Sequence, residues 1–324
     1  MKKFVLLIIC VLVIGSIVFM SFYKKEDTNL KKVRVAEVTH SIFYAPQYLA
    51  HSLGYFKDEG LDVEIILTSG ADKVTTAVLS GDVEIGFCGS EATIYVYNNG
   101  EDDYLVNFAG LTKKDGSFLV SRSKEDFDIK NLVDKHIIAG RKAGMPAMTL
   151  EYALNINGVK TSEVNFDTSI DFASTTGAFI GGTGDYVSVF EPTASSLEKQ
   201  GVGYIVASIG ELGGTVPYTA YNARLSYIEN NKDVIKGFTK AIDKALVYVK
   251  EHSSSEIAEV ISSYFPDTSL NDITSIVDRY KNIDAWFGST TISENDFNHV
   301  MDIMENANEL TNRAPYEKLV TSIK

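Results

Sequence analysis

The chain has 324 residues, 45% of them hydrophobic, and a formal net charge of −13. That length and apolar content suit one or two packed domains and exclude a disordered chain. The negative charge argues against nucleic acid as a partner, because backbone phosphates would be repelled.

Lys2 and Lys3 precede an uncharged run, FVLLIICVLVIGSIVFMSFY (Phe4–Tyr23). A secretory apolar core spans about 7–15 residues and a membrane-spanning helix needs about 20. Residues 1–23 are therefore expected to be an uncleaved signal-anchor or a signal peptide, which makes the membrane a partner. Lipoprotein processing at Cys10 is disfavoured, since Ile9 stands where a small residue is needed. Residues 24–32 read as a polar tether, and the rest of the chain is expected outside the cytoplasmic membrane. Cys10 and Cys88 are the only cysteines, so no disulfide framework forms in the mature part.

From Val33 onward strands and helices alternate. VRVAEV (Val33–Val38) is a strand, followed by the polar-aromatic loop Thr39–Tyr44. A helix beginning near Ala45 runs to Tyr55 and Phe56, and the joint GYFKDEGLDVEI turns at Gly60 into the strand DVEIIL. SGADKVTTAVLSG is a helix with Asp72 in its first turn, EIGFCG a short buried strand, EATIYVYNNG a helix and YLVNFAGL a strand. HIIAG opens a second set, followed by a helix with Pro146 in its first turn. VNFD, DYVSVFEP, GYIVASIG and TVPYTAYNA are further strands, and from Asn231 the spacing is helical to the end. Such alternation predicts an α/β fold of mostly parallel sheets covered on both faces, with a helical C-terminal tail. Residues 33–120 with 215–324 are expected to form lobe 1, and residues 121–214 an inserted lobe 2. Phe118–Ser121 and Thr215–Ala223 are the expected crossings. Two crossings make a hinge, with a ligand cleft between the lobes.

Three stretches, YAPQYLAHSLGYFKDEGLDVEI, TTAVLSGDVEIGFCG and GTGDYVSVFEP, together resemble the substrate-binding proteins of ABC importers. The similarity is to the nitrate/sulfonate/taurine and thiamine-pyrimidine-precursor group and spans Val33–Val249. It implies a two-lobed type II periplasmic-binding-protein fold that delivers a small-molecule solute to permease and ATPase subunits.

In such lobes ligands sit beyond the carboxyl ends of strands, near helix amino-termini. The first such loop offers Thr39, His40, Phe43 and Tyr44, and the resemblance implies ligand contact there. The second offers Ser69 and Gly70, where backbone N–H groups suit a polar group, although Ser69 also suits a plain N-cap. The third offers Gly89, Ser90 and Glu91. Glu91 either complements the helix dipole or pairs with a cation or ring N–H. In lobe 2 the candidates are Gly144, Met145, Asp185 and Glu191, with Arg141 and Lys142 read as solvated. Tyr218 follows the second crossing. The acidic candidates favour a nitrogen heterocycle of the thiamine-pyrimidine type over a sulfonate or nitrate.

No HExxH, GxSxG, P-loop or dinucleotide motif is present, and the histidines are scattered. No cofactor, metal or catalytic residue is expected. Cys88 and Trp286 read as core. A related eukaryotic enzyme makes the thiamine pyrimidine on this fold with a cysteine-rich motif. The single cysteine here counts against that chemistry. The alternatives are an enzyme acting on a pyrimidine precursor and a membrane-tethered sensor domain.

Overall fold

The computed structural model describes residues 30–323, so the expected leader and most of the tether lie outside the described residues. Among the described residues no helix is long and apolar enough to cross a membrane.

The chain first lays down β1 (Lys31–Glu37), α1 (Ala45–Ser52), α2 (Tyr55–Asp58), β2 (Leu61–Leu67), α3 (Ala71–Ser80), β3 (Ile85–Gly89), α4 (Glu91–Asn98) and β4 (Leu105–Thr112). It then builds β5 (Ser117–Ser121), β6 (His136–Ile138), α5 (Met145–Ile156), β7 (Asn165–Asp167), α6 (Thr175–Ile180), β8 (Tyr186–Phe190), α7 (Thr193–Lys199), β9 (Tyr204–Ser208) and α8 (Ile209–Gly213). It returns through β10 (Thr219–Arg224) and α9 (Leu225–Asn230). The tail is α10 (Lys232–Glu251), α11 (Ser254–Ile261), α12 (Leu270–Asn282), α13 (Glu294–Asn306) and α14 (Tyr316–Leu319).

Two five-stranded sheets result, ordered β2-β1-β3-β10-β4 and β7-β6-β8-β5-β9. β1 and β3 run parallel, with Val35 opposite Ile85. β10 is antiparallel to β3 and β4, and β5 is antiparallel to β8 and β9. Each sheet thus has one reversed strand, and in each case it is the strand adjoining a passage between sheets.

The passages are shorter than the sequence suggests. Phe118–Ser121 pairs entirely within the second sheet, and Thr219 onward entirely within the first. Strand residues take their ladder partners within one sheet, so the chain crosses in the irregular segments 113–116 and 214–218. These segments are laced together: the Val216 amide donates to the Lys113 carbonyl at 2.9 Å and the Tyr218 amide to the Thr112 carbonyl at 3.0 Å.

The expected helix through Tyr55 is in fact two. Gly54, at φ 76°, separates α1 from α2, and Gly60, at φ 75°, turns the chain into β2. A positive φ is the region glycine enters without a Cβ clash. Phe56 anchors α2 on Phe238 of α10, ring centroids 4.8 Å apart. α10 buries Ile235, Phe238, Ile242, Leu246 and Val249, a stripe at three- and four-residue spacing that covers the first sheet. Trp286 is buried, as read from the sequence, and its Nε1 donates to the Phe43 carbonyl at 2.7 Å.

Candidate functional site

A cavity of about 280 Å³ is walled by loops at the carboxyl ends of strands from both sheets. The first sheet supplies Thr39 and Tyr44 after β1, Ser69 to Lys73 after β2, and Gly89 and Glu91 at the end of β3. The second supplies Arg141 and Gly144 to Pro146 after β6, Asp171 to Ala173 after β7, and Phe190 at the end of β8. Tyr218 and Thr219 close the wall where the chain returns.

Of the candidates read from the sequence, Thr39, Tyr44, Ser69, Gly70, Gly89, Glu91, Gly144, Met145 and Tyr218 lie on this wall. Ser69 is not the N-cap of α3; Gly70 takes that position.

Five candidates lie off the wall, each for an identifiable reason. His40 is turned toward the C-terminal helices: its Nδ1 is 2.8 Å from Glu37 Oε1 and its Nε2 is 2.9 Å from the Tyr264 carbonyl. Phe43 is fully buried behind the wall, packed on Tyr280 at 5.1 Å between ring centroids. Ser90 donates its hydroxyl to the Pro217 carbonyl at 2.5 Å. Asp185 precedes β8 at the amino end of the strand, away from the cavity, and its Oδ2 accepts from the His136 amide at 2.9 Å. Glu191 is buried and already satisfied, accepting from the Ser195 amide at 2.9 Å and the Ser195 hydroxyl at 2.8 Å, with Arg279 paired to it.

The wall also holds Asp72, Lys73, Arg141, Asp171, Phe172 and Phe190, which were not singled out as binding residues. Arg141 is not merely solvated. Its Nη1 reaches Asp72 Oδ1 at 3.4 Å, an ion pair from the second sheet's side of the cavity to the first. Asp171 and Phe172 follow a strand's carboxyl end, so the positional rule applied above to the other loops also reaches them.

Glu91 carries the unusual chemistry. It is buried, and its Oε2 has no hydrogen-bond partner. Burial pushes its pKa up to about 7, opposed by its own backbone amide, the Arg141 charge and the Met145 amide. The carboxyl folds back over Gly89: a Cβ there would stand 2.0 Å from Glu91 Oε2. Gly89 is thus required by its neighbour's side chain. A carboxyl held near half-ionisation in a small closed space suits a ligand that brings N–H donors. Among the described residues no cluster of His, Cys, Asp or Glu is arranged to hold a metal ion.

Comparison with known proteins agrees with this architecture. The family described as "NMT1/THI5 like" matches residues 42–255. The "Putative binding protein YtlA" of Bacillus subtilis (strain 168) is 45% identical over 298 residues, 91% of this chain and 89% of that one. The 4-amino-5-hydroxymethyl-2-methylpyrimidine phosphate synthase of Candida albicans (strain WO-1) is 26% identical over 240 residues, 67% of this chain and 66% of that one. The alkanesulfonate-binding protein SsuA from Xanthomonas axonopodis pv. citri, solved bound to MOPS, superposes with a TM-score of 0.72 at 14% identity, covering 91% of this chain and 99% of that one. At that identity the likeness speaks for the fold alone. With two α/β sheets facing one cavity, C-terminal helices over the first sheet, and the family match across residues 42–255, the chain belongs to the NMT1/THI5-like family and has the periplasmic-binding-protein fold.

Proposed function

We propose that the protein is the extracytoplasmic solute-binding component of an ABC importer. It holds a small nitrogen heterocycle of the thiamine-pyrimidine type in preference to a sulfonate or nitrate. Residues 33–120 with 215–324 act as one lobe and residues 121–214 as the other. Segments 113–116 and 214–218 form the hinge, and the lobes close on the solute and present it to permease and ATPase subunits. Residues 1–23 tether the protein to the membrane.

The observation that supports this reading is the buried Glu91 carboxyl, with Oε2 unpartnered, in a cavity built from both sheets. A sulfonate or nitrate brings negative charge and no donors, so a carboxylate disfavours it. An aminopyrimidine brings N–H groups that a carboxylate accepts. The similarity to the pyrimidine phosphate synthase supports the same ligand class. It also favours a second reading, an enzyme on this fold acting on a pyrimidine precursor. Against that, Cys88 is fully buried and its thiol is pushed up to about 12, a poor nucleophile.

Thermal melting of the purified protein with 4-amino-5-hydroxymethyl-2-methylpyrimidine, taurine and nitrate tests the reading. A bound solute at 100 times its Kd adds about 2.7 kcal/mol of stability. Stabilisation by the pyrimidine is the expected result, and stabilisation by taurine or nitrate alone would overturn the ligand class. Turnover of the pyrimidine would move the conclusion to the second reading.

A further inference from the structure

The two segments that join the sheets meet at a pair of buried polar atoms without partners. Asp115 lies in the first segment and is fully buried. Its Oδ1 accepts from the Ser117 amide at 2.7 Å and the Ser117 hydroxyl at 2.5 Å, while its Oδ2 has no partner. Tyr218 lies in the second segment. Its ring is part of the cavity wall, and its hydroxyl is buried without a partner. The Tyr218 hydroxyl and the Asp115 carboxyl face each other closely enough to perturb each other's ionisation, short of a completed hydrogen bond.

The backbone on both sides is held firmly. The Tyr218 amide donates to the Thr112 carbonyl at 3.0 Å, and the Tyr280 hydroxyl donates to the Gly116 carbonyl at 2.9 Å. A Cβ on Gly210 would stand 2.2 Å from the Asp115 carbonyl oxygen, so α8 packs directly against the first segment. The adjustable part of this arrangement is the Tyr218 side chain, with the cavity on one side and Asp115 beyond its hydroxyl.

We propose that Asp115 is a positioning residue for solute capture: a solute seated against the Tyr218 ring brings the hydroxyl into hydrogen bond with Asp115 Oδ2, joining the two segments that link the sheets. The inference rests on reading this cavity as the solute site. A buried polar atom without a partner is costly, so a state that pairs two of them is favoured over one that pairs neither. A solute shifts a conformational equilibrium only through such a difference between states. Asp115 touches no solute; it acts through Tyr218.

The test uses Tyr218→Phe, Asp115→Ala, their combination, and Asp115→Asn, with 4-amino-5-hydroxymethyl-2-methylpyrimidine as the probe. Tyr218→Phe and Asp115→Ala each raise its Kd about tenfold, and the double variant raises it by about the same factor, the scale of one hydrogen bond. Asp115→Asn stays near wild type, because its Nδ2 donates to the Tyr218 oxygen. Additive losses in the double variant would overturn the proposal. Without ligand, Tyr218→Phe melts at or above the wild-type temperature, since it deletes a hydroxyl that has no partner. A clear loss of stability there would show the hydroxyl already bonded and would also overturn it. If the wild-type protein binds no probe, the reading of the cavity as a solute site fails, and the ligand-free melting of Tyr218→Phe still judges the pair: stability kept supports it, stability lost overturns it.

Discussion

Gly89 and Glu91 compete for one volume: the Glu91 Oε2 atom sits 2.0 Å from where a Gly89 Cβ would be. A strand-end glycine and a helix-start carboxylate, two residues apart, are therefore one feature of the cavity. Gly89→Ala would push the Glu91 carboxyl aside, and the clash falls on the far end of a side chain instead of on backbone. The fold should survive with far-ultraviolet circular dichroism unchanged, while solute affinity falls. An alanine variant that binds the pyrimidine with wild-type Kd would separate the two residues.

Glu91 also makes opposite predictions for stability and for capture. Its folded pKa of about 7 lies above the ordinary value of 4.5, so the folded state holds the proton more tightly. Stability therefore falls as pH rises from the ordinary value through the folded one, by about 3 kcal/mol at most. Asp115, raised to about 7 by burial, adds a slope of the same sign. Glu91→Gln should reduce the slope and be the more stable protein at pH 8. Capture of an N–H donor should run the other way, strengthening as Glu91 ionises. Denaturant melts and calorimetric titrations across pH 5.5–8.5 read both quantities, and slopes unaltered in Glu91→Gln would sink the assignment.

Arg141 and Asp72 pair across the cavity at 3.4 Å, both about half exposed. Such a pair contributes on the order of 0–1 kcal/mol, so Arg141→Ala should barely shift the melting temperature. It also removes a charge that lowers the Glu91 pKa. The pH at which capture reaches half strength should therefore move upward. Calorimetry in low and high salt checks this, and an unmoved midpoint would mean Arg141 does not act on Glu91.

His40 gives the contrast. Its pKa is raised, first by the hydrogen bond to Glu37, and its other nitrogen meets the Tyr264 carbonyl. A raised histidine contributes stability that is complete below its ordinary value of about 6.5 and is lost as pH rises through the folded value. His40→Ala also strips a partner from buried Glu37, which retains Gln47 and Tyr48. The variant should lose about 1–3 kcal/mol of stability at pH 6 with the Kd for solute unchanged. A large affinity loss in a well-folded His40→Ala protein would place the imidazole in the site after all.

Much of this protein is written in local pattern. Alternating strands, apolar helix stripes and glycines at turns specify two α/β halves, and the rule that ligands gather at strand carboxyl ends finds most of the cavity wall. The same rule, applied strictly, would have set Asp185 aside, since it precedes its strand, and would have added Asp171 and Phe172. What the tertiary structure alone decided is which side chains are already engaged. Glu191 looks available until Arg279, 88 residues further along the chain, is seen beside it, and His40 until Tyr264, 224 residues away, is. Sequence spacing reports which face of an element a residue occupies, whereas partners brought together from distant segments determine whether a buried polar group has bonds left to give a ligand.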